Sequence, residues 1–207
     1  MASPADRDTG SSSGLVVLLV LAVLLGGGLW YGYGDAGADP VPATSTAEVP
    51  LVPAALSVPA IGVEAPVEQR GTVEYTNPFT GQQVAGYGVP EDMAATSWWS
   101  DGPQPGSGRM AVVLGHDVPG DDPGVFDRLG DLQVGDDVVL TDASGTQLQL
   151  QVVEAPLTGL DKSTSALSDA LNGHPDGADV ALVTCGGEYD ESAGASDENV
   201  VVFASVV

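Results

Sequence analysis

Two residues of this chain have side chains able to carry out nucleophilic chemistry together. Cys185 is the only cysteine of 207 residues, and His116, one of two histidines, stands 69 positions before it. Cys185 follows the apolar run Ala181-Leu-Val-Thr184 and precedes Gly186 and Gly187. That run reads as a buried strand fixing the sulfur to a rigid frame, and the two glycines leave the approach open. His116 ends a similar run, Met110-Ala-Val-Val-Leu-Gly115. Both residues are therefore expected at strand ends, where they can emerge on one rim. A free thiol has a pKa of about 8.5 and is only slightly ionised at neutral pH, so an adjacent imidazole is the usual means of activating it. The plainer alternatives are a buried small hydrophobe for the cysteine and a backbone-bonded strand cap for the histidine.

Neither residue belongs to a zinc-type spacing, so the pair points to covalent catalysis, and no metal or cofactor is expected. The acidic group Asp190, Glu191, Asp197 and Glu198 offers oxygen ligands but lacks the spacing of a calcium-binding loop. The second histidine, His174, lies in Asn172-Gly-His-Pro-Asp-Gly177, which reads as a solvated turn.

The elements that must hold Cys185 and His116 are short strands. Leu56 to Val67 reads as an outer strand broken by prolines. Residues 70–109 are rich in turn formers, with Trp98 and Trp99 as a plug against the core. After His116 come a Pro/Gly/Asp loop, Asp117 to Gly124, and a short helical segment, Val125 to Leu132. Asp137 to Val153 predicts a hairpin turning at Asp142 to Gly145, with Leu148, Leu150 and Val152 alternating with glutamines. A long connection, 154–178, contains a helical turn or two at Ser165 to Leu171, and Asn199 to Val207 is the final strand. This pattern predicts a mainly β domain over residues 55–207, closed or nearly closed into a barrel.

Upstream, residues 14–34 carry no charge, and Leu15 to Leu25 is unbroken Leu, Val and Ala. At about 1.5 Å per residue such a helix spans about 30 Å, a bilayer core. Trp30, Tyr31 and Tyr33 sit at its far end, as headgroup-level aromatics do. The segment reads as a transmembrane signal-anchor behind a short cytoplasmic tail, 1–13; Ala36-Gly-Ala38 offers the competing reading of a cleaved leader. Residues 35–54 form a Pro/Ala-rich linker. The expectation is a single-pass protein of the cell membrane with its folded domain extracytoplasmic. The net charge is −24, and the cations Arg7, Arg70, Arg109, Arg128 and Lys162 form no cluster, which argues against a nucleic-acid partner.

Gly88-Val-Pro90, Trp98-Trp99, Pro105-Gly106, Leu114-Gly-His116, Gly124-Val-Phe-Asp-Arg-Leu129, Gly135-Asp136, Leu182-Val-Thr-Cys-Gly-Gly187 and Asn199-Val-Val-Val-Phe-Ala204 follow one another along residues 55–205. Together they resemble the sortases, membrane-anchored cysteine transpeptidases of Gram-positive surfaces, and the last two look most like class F. The resemblance implies an eight-stranded β-barrel with short helices. It also implies cleavage of a Leu-Pro-any-Thr-Gly-like sorting signal through a Cys185 thioester, with His116 as acid and base. The partners would be surface proteins bearing that signal and an amine of the cell wall or of a pilin. One departure stands out. The family carries an arginine about twelve residues past its cysteine, and that register here reads Ser196-Asp197-Glu198-Asn199. Asp197 leaves two readings: an active transpeptidase with its cation elsewhere, or a weakly active or inactive module that binds or scaffolds.

Overall fold

The computed structural model describes residues 49–118 and 123–207. The tail expected at 1–13, the membrane anchor expected at 14–34 and most of the linker lie outside the described residues. Among the described residues no helix is long and apolar enough to cross a membrane.

The chain begins with β1 (Pro53–Val58) and β2 (Val63–Arg70), antiparallel through Ala55↔Pro66 and Val58↔Val63. The sequence suggested a single strand here, broken by prolines. The break is instead a reversal: Pro59 opens a 3-10 turn, and Gly62 closes it at φ +75°, a left-handed conformation that glycine adopts without penalty. The turn-rich stretch after it holds three strands, β3 (Thr72–Thr76), β4 (Gln83–Tyr87) and β5 (Thr96–Trp99). β3 and β4 form a separate two-stranded sheet.

β6 (Ala111–Gly115) follows and ends one residue before His116. The segment expected to be helical at Val125–Leu132 forms turns and one 3-10 turn, Leu129–Asp131. Its Phe126 and Leu129 are fully buried. β7 (Asp137–Asp142) and β8 (Gln147–Val152) make the expected hairpin. Val138, Leu140, Leu148, Leu150 and Val152 point inward while the intervening glutamines stay outside, the period of two expected of a strand with one wet face. Asp142 Oδ1 closes the turn by accepting the Ser144 and Thr146 backbone N–H groups, each at 2.8 Å. Those bonds and the Ser144 hydroxyl hold its carboxyl below the usual carboxylate range.

The connection expected after the hairpin contains a strand, β9 (Leu157–Asp161), before the short helix α1 (Ala166–Asn172). The chain ends with β10 (Val180–Asp190) and β11 (Ala195–Val206). β10 continues past Cys185, so the cysteine lies within a strand and not at its end.

The strand order β10-β6-β5-β2-β1-β7-β8-β11 closes on itself through β10–β11 pairing, giving an eight-stranded barrel with one short helix; β9 adds outside it to β11. Inward residues from all eight strands fill the barrel, among them Leu56, Val58, Trp98, Val113, Leu140, Leu150, Leu182 and Val202. A second apolar layer lies on the outer surface of β6, β10 and β11: Val112, Leu114, Ala181, Val183, Val201 and Phe203, covered by Leu167 and Leu171 of α1. Strands buried on both faces read as continuous apolar runs, which is why the stretches before His116 and Cys185 showed no alternation.

Candidate active site

β6 and β10 run parallel, with Val180 beside Ala111, Ala181 beside Val112, Leu182 beside Val113 and Val183 beside Leu114. The last aligned pair lies two residues before Cys185 on one strand and two before His116 on the other. Cys185 alternates with Val183 and Ala181, so its thiol belongs to the outer face. It is a free, half-buried cysteine. The two residues picked out by sequence therefore follow the same end of neighbouring parallel strands.

Hydrogen bonds hold that end together. The Thr184 hydroxyl, buried in the barrel, donates to the Gly115 carbonyl at 2.8 Å, joining the residue before Cys185 to the residue before His116. The Phe126 N–H donates to the His116 carbonyl at 2.8 Å, so the loop beyond the histidine returns to clamp its backbone. Gly124 passes so close that a Cβ there would strike the His116 carbonyl. His116 Nε2 lies 2.9 Å from the Pro90 carbonyl. A carbonyl only accepts, so Nε2 is the donor in this contact and Nδ1 is the ring nitrogen left free of it. Thr184 and Pro90 act on the pair's geometry. Nothing in their types marks them, and only the order Thr-Cys and Gly-Val-Pro could have hinted at it.

The glycines after Cys185 serve purposes other than an open approach. Gly186 faces inward, where a Cβ would come within 2.7 Å of the Val200 side chain. Gly187 has φ +76° and sits against the Asp197 carboxylate in an irregular part of the β10–β11 ladder. Asp197 Oδ1 accepts the Glu188 N–H at 2.8 Å, so this carboxylate caps the bulge. Asn199 is the direct cross-strand partner of Cys185, and its amide donates to the Thr184 carbonyl at 3.1 Å.

Asp117, next to His116, has its carboxyl pushed above the usual range, first by burial and then by the nearby charge of Asp127, with Lys162 opposing. His174 lies elsewhere. It lines a cavity of about 940 Å³ with Trp99, Arg109, Met110 and Asp179, at the start of β6 and β10, and its Nδ1 is 3.0 Å from the Pro175 carbonyl. Asp190 Oδ1 caps its own turn by accepting the Ser192 N–H at 2.8 Å. Among the described residues no three His, Cys, Asp or Glu side chains gather as metal ligands would.

A thiol and an imidazole at the same end of neighbouring strands, the imidazole with one ring nitrogen tethered, suit acyl transfer. The sortase-domain family model matches residues 56–207, about three quarters of the chain and all of the barrel but the first half of β1. The chain belongs to the sortase family. Members of that family are cysteine transpeptidases. Solved sortases share the fold. SrtA from Actinomyces oris is 18% identical with a TM-score of 0.54, the match covering 79% of this chain and 87% of that one. Sortase A from Corynebacterium diphtheriae is 20% identical with a TM-score of 0.50, covering 77% of this chain and 62% of that one. The pilus-related Sortase C of Group B Streptococcus is 19% identical with a TM-score of 0.50, covering 78% and 70%. A search of curated proteins returned no match. The sortase barrel expected from the motifs is thus the fold observed.

Proposed function

We propose that this sortase cuts a Leu-Pro-any-Thr-Gly-like sorting signal with Cys185 and transfers the new carboxyl end to an amine of the cell wall or of a pilin. The Cys185 thiolate attacks the Thr carbonyl carbon, forming the C–S bond, and the Thr–Gly C–N bond breaks as His116 gives its proton to the departing glycine amine. The acceptor amine then attacks the thioester, loses a proton to His116 and releases the thiolate. Water in place of the amine gives hydrolysis. The observation that supports this reading is the parallel β6–β10 register, whose last aligned pair, Val183↔Leu114, lies two residues before Cys185 and before His116.

The chain would act from the outer side of the cell membrane, held by the apolar segment 14–34, on surface proteins carrying the signal. Its Thr-Cys-Gly-Gly and Asn-Val-Val-Val stretches favour the class F group. Asp197 would take the place of the family's arginine, and the bond from Glu188 N–H to its carboxylate favours a second reading, a barrel that binds but turns over slowly. The experiment that separates the two is intact-mass analysis of the protein after incubation with a sorting-signal peptide. An acyl adduct on Cys185, lost in Cys185→Ala, supports transpeptidation. Peptide binding without any adduct supports the binding module.

A further inference from the structure

We infer that the cavity at the start of β6 and β10 is a second binding site, built for a small zwitterion. Its ligand is an amino acid or short peptide with a free ammonium, a free carboxylate and an apolar or aromatic side chain. The cavity, of about 940 Å³, lies at the other end of β6 from His116. Arg109 leads into β6 and Asp179 into β10, six residues before Cys185. At about 3.3 Å per residue, that is about 20 Å of strand. A Leu-Pro-any-Thr stretch with its Thr at the thiol reaches only about 14 Å when fully extended. The charged end of the cavity therefore lies beyond it, and the site stands apart from the transpeptidase reading.

Two opposite charges face this cavity without meeting. Among the described residues the ion pairs are Arg70 with Glu68 and Glu91, and Arg128 with Asp131; neither Arg109 nor Asp179 belongs to one. Arg109 is exposed at the rim, whereas Asp179 is only 8% exposed. The sheet fixes the Asp179 backbone: its N–H donates to the Ala204 carbonyl at 2.9 Å, and its carbonyl accepts the Ala111 N–H at 2.8 Å. Its side-chain Oδ2 accepts the Val206 N–H at 2.8 Å.

Oδ1 has no such partner among the described residues. Every described polar side-chain atom that is sealed from solvent is hydrogen-bonded, so Oδ1 is left open, and the cavity is what Asp179 lines. A deeply buried carboxylate with a vacant oxygen is costly to hold ionised unless a donor reaches it. A ligand ammonium supplies that donor, and the planar fork of Arg109 matches a carboxylate.

The remaining wall suits an apolar side chain. Tyr87 and Trp99 meet edge to face with ring centres 5.0 Å apart. Trp99 Nε1 donates to the Thr72 hydroxyl at 3.0 Å, and Gly102 passes so close that a Cβ there would strike the indole. These rings are held before any ligand arrives, so little ordering cost falls on binding. Met110, Val112 and Leu171 complete the apolar surface. Charge selects the same ligand. In a chain of net charge −24 a simple anion is repelled and a simple cation is drawn to the whole surface, but a zwitterion responds only to a local pair.

The test is titration calorimetry of the full chain with L-phenylalanine and with L-leucyl-L-phenylalanine. Each is also used with its ammonium acetylated or its carboxylate amidated. At least one zwitterion is expected to bind, and either blocked form of it about tenfold more weakly. Which of the two binds better separates a free amino acid from a peptide as the source. Arg109→Gln should erase the preference for a free carboxylate and keep that for a free ammonium, and Asp179→Asn should do the reverse. A general loss of structure cannot produce that crossed pattern, and melting temperatures are recorded beside it. Should Asp179→Asn fail to fold, the exposed Arg109→Gln decides alone. Cys185→Ala should bind as the wild type does. No binding of either zwitterion, binding indifferent to both blocking groups, or binding lost with Cys185 overturns the inference.

Discussion

The two histidines sit at opposite ends of the same pair of strands, and the molecule treats them differently. His116 is clamped: its carbonyl is taken by Phe126, its ring by Pro90, and the residue before it is bonded to Thr184. His174 follows α1 in a loop, and its ring lies against the carbonyl of the very next residue. One imidazole is fixed by residues far away in sequence, the other only by its own turn. The difference teaches that the thiol's neighbour is selected by non-local constraint, since a group that must hand over a proton repeatedly has to return to one place.

The sharpest way to break this comparison is at the sulfur. Cys185→Ala should abolish adduct formation and peptide cleavage; full cleavage by that variant would remove the thioester. His116→Ala should lower kcat by about 10²–10⁴, the range general acid–base groups supply, whereas His174→Ala should leave kcat and KM within about twofold, a contrast read by steady-state peptide assays. Equal losses in the two would show that the ends of the strands are not functionally distinct.

Thr184→Val sharpens the same point. It removes the tie to the Gly115 carbonyl while keeping the volume, leaving a buried acceptor unpaired at a cost of about 1–3 kcal/mol. Thermal melting should report that loss, and kcat should fall roughly tenfold or more as the strand ends drift. A normal kcat in a destabilised protein would mean that the tie serves the fold alone.

The smallest effect concerns Asp117. Its carboxyl is raised by burial, so the folded state binds that proton more tightly than the unfolded state does. Its contribution to stability is therefore present below the usual carboxylate range and is lost as the pH rises through the raised value. Asp117→Asn should gain melting temperature over the wild type as the pH climbs from acidic to neutral, and little in acid. A constant difference across that range would assign the effect to something other than the proton.

Much of this was legible in the sequence because burial writes itself into composition. The runs before His116 and Cys185 are apolar on both faces, and the alternating Gln and Leu of β8 marked a strand with one wet side. The β1–β2 reversal was hidden because Pro59 and Gly62 interrupt a run that otherwise reads as one strand. β9 escaped because its five residues carry a glycine and little apolar content, and its place is decided by pairing with β11. The extension of β10 to Asp190 depends on Asp197 capping a bulge from the other strand, a contact no local pattern announces. The choice of Cys185 and His116 was legible as chemistry, but the register that brings the ends of their strands level is a property of the closed sheet.

The barrel is sealed where β10 pairs with both β11 and β6. Until those strands come together, His116 and Cys185, far apart along the chain, share no sheet end. The surroundings of the nucleophile are thus a product of closure, and the reactivity of the thiol reports on whether the barrel is shut.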